Sequence, residues 1–174
     1  RRRLEAPVDR VEVLTDHHDR ESFACGVQEL DDYFRRRARQ DRDRFVAAVF
    51  VLLGDQPDTI AGFYTLSSLG VALADLPAEA AKKLPKYPVV PSTLIGRLAV
   101  DERHRGRGLG ELLLMDALAR SLEQAYEIAS AAIIVDAKDD AARSFYEHFG
   151  FACFPDRRYR LFLPMKTVAK MFAP

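Results

Sequence analysis

Hydrophobic positions along the chain switch between a period of two and a period of three to four, and the switches mark its elements. VEVL (11–14) reads as a short strand, after which the spacing turns helical from Val27 to Arg39. There Val27, Leu30, Phe34 and Ala38 share one side, and Arg35, Arg36 and Arg39 are left outward. FVAAVFVLL (45–53) is a continuous apolar run of strand length closed by the turn residues GDQPD, and TIAGFYTLSSLGVAL (59–73) resumes as strand, which predicts a hairpin. Residues 75–91 hold four prolines and predict a loop with a short helix at 78–84. STLIGRLAV (92–100) is strand, followed by a helix from Leu109 to Tyr126. Leu114, Leu118, Leu122 and Ala125 form its inner side, and Glu111, Asp116, Arg120, Glu123 and Glu127 its polar side. SAAIIVDA (130–137) is a buried strand, and the next helix, AARSFYEHFG, is capped by Asp139 or Asp140 and stopped by Gly150. FACF (151–154) and RYRLFLPM (158–165) are strands, and MKTVAKMF closes the chain as a short helix. The sum is one α/β domain over residues 1–174, a central mixed sheet flanked by helices.

Composition narrows the class. A chain of 174 residues with 48% hydrophobic residues fills one sizeable core. No apolar run reaches membrane-span length, and the charged start RRRLEAPVDR lacks the apolar segment of a signal peptide, so the expectation is a soluble cytoplasmic protein without membrane contact. Cys25 and Cys153 form no CxxC pair and read as small hydrophobes. His17 and His18 diverge on any regular backbone, so they read as surface residues, and no metal site is expected. The 26 basic and 26 acidic residues cancel, which excludes a uniformly basic nucleic-acid binder. The basic residues are nevertheless clustered, at 35–44, 82–86, 103–107 and 157–160.

One cluster carries chemistry. RHRGRGLGELL (103–113) places Gly106, Gly108 and Gly110 between a strand and a helix, where unpaired backbone N–H groups and the helix dipole suit a pyrophosphate. A P-loop needs Lys-Ser/Thr after the glycines and a dinucleotide fingerprint needs Gly at 111, whereas the chain has Glu111-Leu112. The plain alternative is a tight turn with solvated arginines. A second stretch, AARSFYEHFGF (141–151), speaks against that alternative. Arg103, Gly106 and Gly108 match R-x-x-G-x-G, and Ala142, Tyr146, Gly150 and Phe151 match A-x-x-x-Y-x-x-x-G-F. These are the two halves of the signature of the GNAT acetyltransferases, which the chain resembles over about residues 92–163. Where many members carry Asn, the chain has Asp139, whose carboxylate accepts but does not donate hydrogen bonds. Phe145 and Phe149 are expected in the core, with Tyr146 on another face and its hydroxyl toward a polar partner.

Together with CGVQELDDYFRRRARQD and LPKYPVVPSTLIGRLAVD, these segments resemble the GNAT toxins of bacterial toxin–antitoxin modules, the group typified by TacT and AtaT. The resemblance implies a GNAT fold, acetyl-CoA as cofactor, and acetylation of the α-amino group of aminoacyl-tRNA with a block of translation. It implies neutralisation by a ribbon-helix-helix antitoxin, contact with operator DNA through the antitoxin complex, and a homodimer. Coenzyme contacts fall on Leu98, Ala99, Val100, Arg103, Arg105, Gly106, Arg107, Gly108, Leu109, Gly110 and Asp139. Tyr146 is the expected general acid toward sulfur, since a phenol is protonated at neutral pH, and no His or Glu stands out as a base. For RNA phosphates the expected cations are Arg35, Arg36 and Arg39, with Arg42, Arg44, Lys82, Lys83, Lys86, Arg157 and Arg158. An acetyltransferase of small amines or protein N-termini, and a non-catalytic acyl-CoA-binding module, remain open on the residues alone.

Overall fold

Side chains of β3 (Ile60–Ala72) are buried on both faces from Ile60 to Thr65, the mark of a strand inside a covered sheet. A computed structural model describes residues 11–174; the charged stretch 1–10, with its reading as a non-signal start, lies outside them. Around β3 run β1 (Val11–Val13), α1 (Gln28–Arg36), α2 (Ala38–Asp43), β2 (Ala48–Leu53), α3 (Ala78–Ala81), β4 (Val89–Val100), α4 (Leu109–Ala125), β5 (Ala132–Asp136), α5 (Asp140–His148), β6 (Ala152–Phe154), β7 (Arg157–Pro164) and α6 (Met165–Met171). The strands form a seven-stranded sheet in the order β1-β2-β3-β4-β5-β7-β6. Strands β4 and β5 pair in parallel, and β1 with β2, β2 with β3, β5 with β7 and β6 with β7 are antiparallel. The mixed sheet with flanking helices is the one expected. Among the described residues no helix is long and apolar enough to cross a membrane.

The chain divides into two compact units. One runs to Ser67 and resumes over Gly96–Ala117; the other comprises Ser68–Ile95 and Leu118–Pro174. The first is built on an aromatic cluster in which Phe34 stacks on Phe63 at 4.3 Å and Phe23 meets them edge-on at 4.9 and 5.4 Å. Tyr33, Leu14, Val49, Val51, Ile60 and Ala99 complete it. The second packs Val71, Leu76, Val90, Ile134, Phe154 and Phe162. Fully burying each such side chain contributes about 1.5–3 kcal/mol.

Several expectations need correction. The helix predicted over 27–39 is two helices. Arg20 donates to the carbonyls of Phe34 and Arg35, at 3.4 and 2.8 Å, and these are the acceptors that a continuous helix would offer to residues 38 and 39. Arg35 is not free: its guanidinium donates to the Phe23 carbonyl, at 3.0 Å from Nε. The strand predicted from residue 45 begins at Ala48, because Phe45 and Val46 belong to the turn that ends α2. Helix α3 stops at Ala81, and β4 starts three residues earlier than predicted, at Val89. His18 is buried rather than on the surface. Its Nδ1 accepts from the Thr15 N–H at 2.9 Å and its Nε2 lies 2.6 Å from Glu12 Oε1. In α5 it is Tyr146 that is buried, while Phe145 and Phe149 are half-buried.

Candidate functional site

The parallel ladder between β4 and β5 runs from Ser92 opposite Ala132 to Ile95 opposite Val135, and β4 continues five residues beyond it. That extension, Gly96 to Val100, contains Leu98, Ala99 and Val100 and leads into the glycine turn. Gly62 lets β3 lie close here, since a β-carbon on it would sit 2.9 Å from the Ala99 carbonyl.

Gly106 and Gly108 have φ of +77° and +72°, the left-handed region in which a side chain is strained. A β-carbon at either would meet nothing within 4 Å, so both border open space. Helix α4 starts at Leu109 and its first backbone bond runs from the Leu112 N–H to the Gly108 carbonyl, at 3.2 Å. The N–H groups of Leu109, Gly110 and Glu111 therefore lack acceptors within the helix and lie at the positive end of a 17-residue dipole. A bare left-handed loop with open space before a helix N-terminus fits the pyrophosphate of a coenzyme, with Gly106 to Gly110 as the residues to hold it.

The arginines of this loop are differently employed. Asp101, buried at the end of β4, accepts from the Arg103 N–H and Nε, both at 2.9 Å, from Arg103 Nη2 at 3.1 Å and from the Ala24 N–H at 3.0 Å. Burial would raise the Asp101 carboxyl, but the hydrogen bonds from Arg103 and Ala24 outweigh it and bring its pKa down to about 2. Arg103 also donates to the Ser22 carbonyl at 3.2 Å, Arg105 donates to the Cys25 carbonyl, and the Glu102 N–H bonds the Ala24 carbonyl at 2.8 Å. The loop is thus stitched to the segment 22–25 that precedes α1. Arg103 and Arg105 add positive charge beside the glycines from positions fixed on the protein's own oxygens. Arg107 is exposed, 3.3 Å from Asp55. Sequence reasoning missed Asp101, although an aspartate closing an apolar strand two residues ahead of an arginine is a visible capping signal.

In the other unit, Asp139 caps α5, accepting from the Ala142 N–H at 2.8 Å. Gly150, at φ +97°, takes the chain out of that helix. Tyr146 packs edge-on against Phe145 and Phe151, at 5.2 and 5.5 Å. Burial raises its phenol to about 12, and among the described residues no group hydrogen-bonds its hydroxyl. Such a phenol holds its proton throughout the neutral range and suits a proton donor. Lys83, Lys86 and Arg157 are exposed in this unit, and Lys82 is 3.4 Å from Glu79.

The first unit also gathers arginines. Arg20, Arg35, Arg36, Arg39 and Arg44, with Gln40 and Asp43, line an open cleft of about 420 Å³. Arg39 lies 3.3 Å from Asp16 and 3.8 Å from Asp43. Of the sequence-predicted cations, Arg35, Arg36, Arg39 and Arg44 come together here. Arg20 was missed because it lies 14 and 15 positions ahead of the carbonyls it reaches, outside the helical stripe.

Residues 11–151 match the acetyltransferase (GNAT) family. Over 153 residues, 88% of this chain and 90% of the relative, the sequence is 41% identical to a tRNA-acetylating toxin of Mycobacterium tuberculosis (strain ATCC 25618 / H37Rv). Among solved structures, AtaT complexed with acetyl-methionyl-tRNAfMet superposes with a TM-score of 0.86 at 27% identity, over 94% of this chain and 98% of that one. AtaTR bound with AcCoA does so with a TM-score of 0.82 at 26% identity, over 94% and 97%.

Proposed function

Because this chain belongs to the acetyltransferase (GNAT) family, we propose that it transfers the acetyl group of acetyl-CoA to the α-amino group of aminoacyl-tRNA and so blocks translation. The observation that carries the acceptor is the 41% identity, across 88% of the chain, to a tRNA-acetylating toxin. When bound, acetyl-CoA supplies a thioester whose carbonyl carbon is open to an amine. The chain's own residues do the rest. The N–H groups of Gly106 to Gly110 would hold the pyrophosphate, with Asp101, Arg103 and Arg105 keeping the loop in place and Arg107 adding charge. The backbone of Leu98, Ala99 and Val100 would face the acyl end, where one well-placed N–H donor would contribute about 3 kcal/mol to the reaction. Tyr146 Oη keeps a proton for the departing sulfur. Asp139 serves by capping the helix that presents Tyr146. The attacking α-amino group, acidified by its ester, loses its proton to water.

RNA phosphates are taken by Arg36 and Arg39, with Arg35 helping to shape their cleft, and by Lys82, Lys83, Lys86 and Arg157. The chain serves as a single acetyltransferase domain, and the protein works as a cytoplasmic homodimer. A small antitoxin of ribbon-helix-helix type neutralises it, and that complex meets operator DNA. What supports the antitoxin is that the Mycobacterium tuberculosis relative is itself a toxin.

Cell-free translation with acetyl-CoA added, followed by mass analysis of each aminoacyl-tRNA, tests the reading. The expected outcome is arrest together with a 42 Da gain (roughly one acetyl for one hydrogen) on the amino acid of one or a few tRNAs, falling steeply in Tyr146→Phe. Acetylation of small amines with undisturbed translation would overturn the acceptor. Turnover of Tyr146→Phe within about threefold of wild type would remove the acid role.

A further inference from the structure

We propose that Phe45 is a stacking platform for an unpaired base of the acceptor RNA, set at the edge of the arginine cleft. This rests on the reading of aminoacyl-tRNA as the substrate.

The backbone gives the first argument. Helix α2 ends with the Val46 N–H bonded to the Asp41 carbonyl at 2.9 Å and the Phe45 N–H bonded to the Arg42 carbonyl at 3.1 Å. This is the crossed pair of bonds that closes a helix when the residue after the C-cap turns left-handed, a position that glycine dominates. Here that residue is Phe45, at φ +58°. A side chain at such a φ crowds the neighbouring carbonyl, and a bulky one is rare there. Nothing within the fold offsets this strain, because the ring is 95% exposed. Strain of this kind held at the surface points to a contact made outside the fold.

The surroundings indicate which contact. Arg44, the residue before, lines the cleft with Arg20, Arg35, Arg36 and Arg39, five guanidiniums against the carboxylate of Asp43 in the lining and that of Asp16 on Arg39. Among the described residues Arg36 and Arg44 enter no ion pair. A cationic groove beside an exposed aromatic face is the combination that holds single-stranded nucleic acid, the cations taking phosphates and the ring taking a base of any identity. A duplex hides its base faces, so the stacked base must be unpaired, as it is at the aminoacylated end of tRNA. The same arginines disfavour a second copy of this chain, since a two-fold contact through Phe45 would bring like charges together.

The chain has no tryptophan, so Phe45→Trp introduces a single indole reporter at this position. We expect its emission to fall by about half on titration with deacylated tRNA and to stay unchanged with a blunt acceptor-stem duplex lacking the 3′ single strand. In steady-state assays Phe45→Ala is expected to raise KM for aminoacyl-tRNA about tenfold, leaving kcat and the KM for acetyl-CoA in place, with Phe45→Trp retaining wild-type values. Phe45→Gly separates fold from function: it should raise Tm by removing the strain and still show the raised KM. An unquenched indole on a protein that binds tRNA normally, or an unchanged KM in Phe45→Ala, overturns the stacking while leaving the substrate reading intact. Emission that shifts with protein concentration in the absence of RNA overturns it in favour of a contact between copies. Wild-type protein that neither binds nor acetylates aminoacyl-tRNA removes the substrate reading and the platform with it.

Discussion

Asp101 is where the glycine loop and the segment before α1 are tied together, and its carboxylate meets four donors at 3.1 Å or less. With its pKa at about 2 in the fold against 3.8 unfolded, its contribution to stability is complete above pH 4 and is lost as pH falls toward 2. Asp101→Asn should remove about 2–4 kcal/mol, read as a lower urea midpoint at pH 7, and should flatten the acid limb between pH 4 and 2. The mutant is expected to weaken acetyl-CoA binding as well, since the loop loses its anchor. A midpoint within 0.5 kcal/mol of wild type would show the cluster to be incidental. Asp101 as a cap was a local signal in the sequence, but the partners that tie the loop down were not. Arg103 and Arg105 read as phosphate ligands because their spacing to the glycines is local, whereas the carbonyls they reach, of Ser22 and Cys25, lie some 80 positions away. Phe45 was hidden differently: an apolar residue at the head of an apolar run looks like strand, and only the bonds closing α2 show that it stands outside.

At the scale of elements the sequence was more forthcoming, because caps, breakers and periodicity are local signals. Asp139 and Gly150 bracket α5 as expected, and the helix from Leu109 ends within one residue of its prediction. The division of α1 from α2 was not visible, since the apolar stripe Val27, Leu30, Phe34, Ala38 runs through it without interruption. The break comes from Arg20, which supplies donors from outside the helix. The cap offers a clean test of what Asp139 does. Asp139→Ala should cost about 1 kcal/mol and Asp139→Asn only a few tenths, measured by thermal or urea unfolding. If Asp139 acts through the cap alone, the KM for acetyl-CoA stays the same in Asp139→Asn; a severalfold rise would place the carboxylate on the coenzyme.

For the molecule as a whole, two buried phenols weaken the fold at alkaline pH. Burial raises Tyr146 to about 12, and burial with a hydrogen bond to Asp41 does the same for Tyr33. Both keep their protons in the fold while an unfolded tyrosine loses its own near 10, so the stabilisation is intact below pH 10 and fades between 10 and 12. Unfolding in urea at pH 8 and pH 11 should show Tyr146→Phe losing roughly 1.4 kcal/mol less than wild type over that interval. The chain is also electrically neutral overall, with 26 charges of each sign, so any attraction for a polyanion is local. Here the bareness of Gly106 and Gly108 has a further consequence. A pyrophosphate held by fixed backbone dipoles displaces few counterions from the protein, whereas RNA held by mobile guanidiniums sheds one for nearly every phosphate neutralised. The two substrates should therefore part company with ionic strength: raising salt from 50 to 200 mM (an approximate working range) should increase KM for aminoacyl-tRNA by at least ~10-fold and KM for acetyl-CoA by less than ~2-fold. Such an enzyme senses the ionic condition of its surroundings through one substrate only.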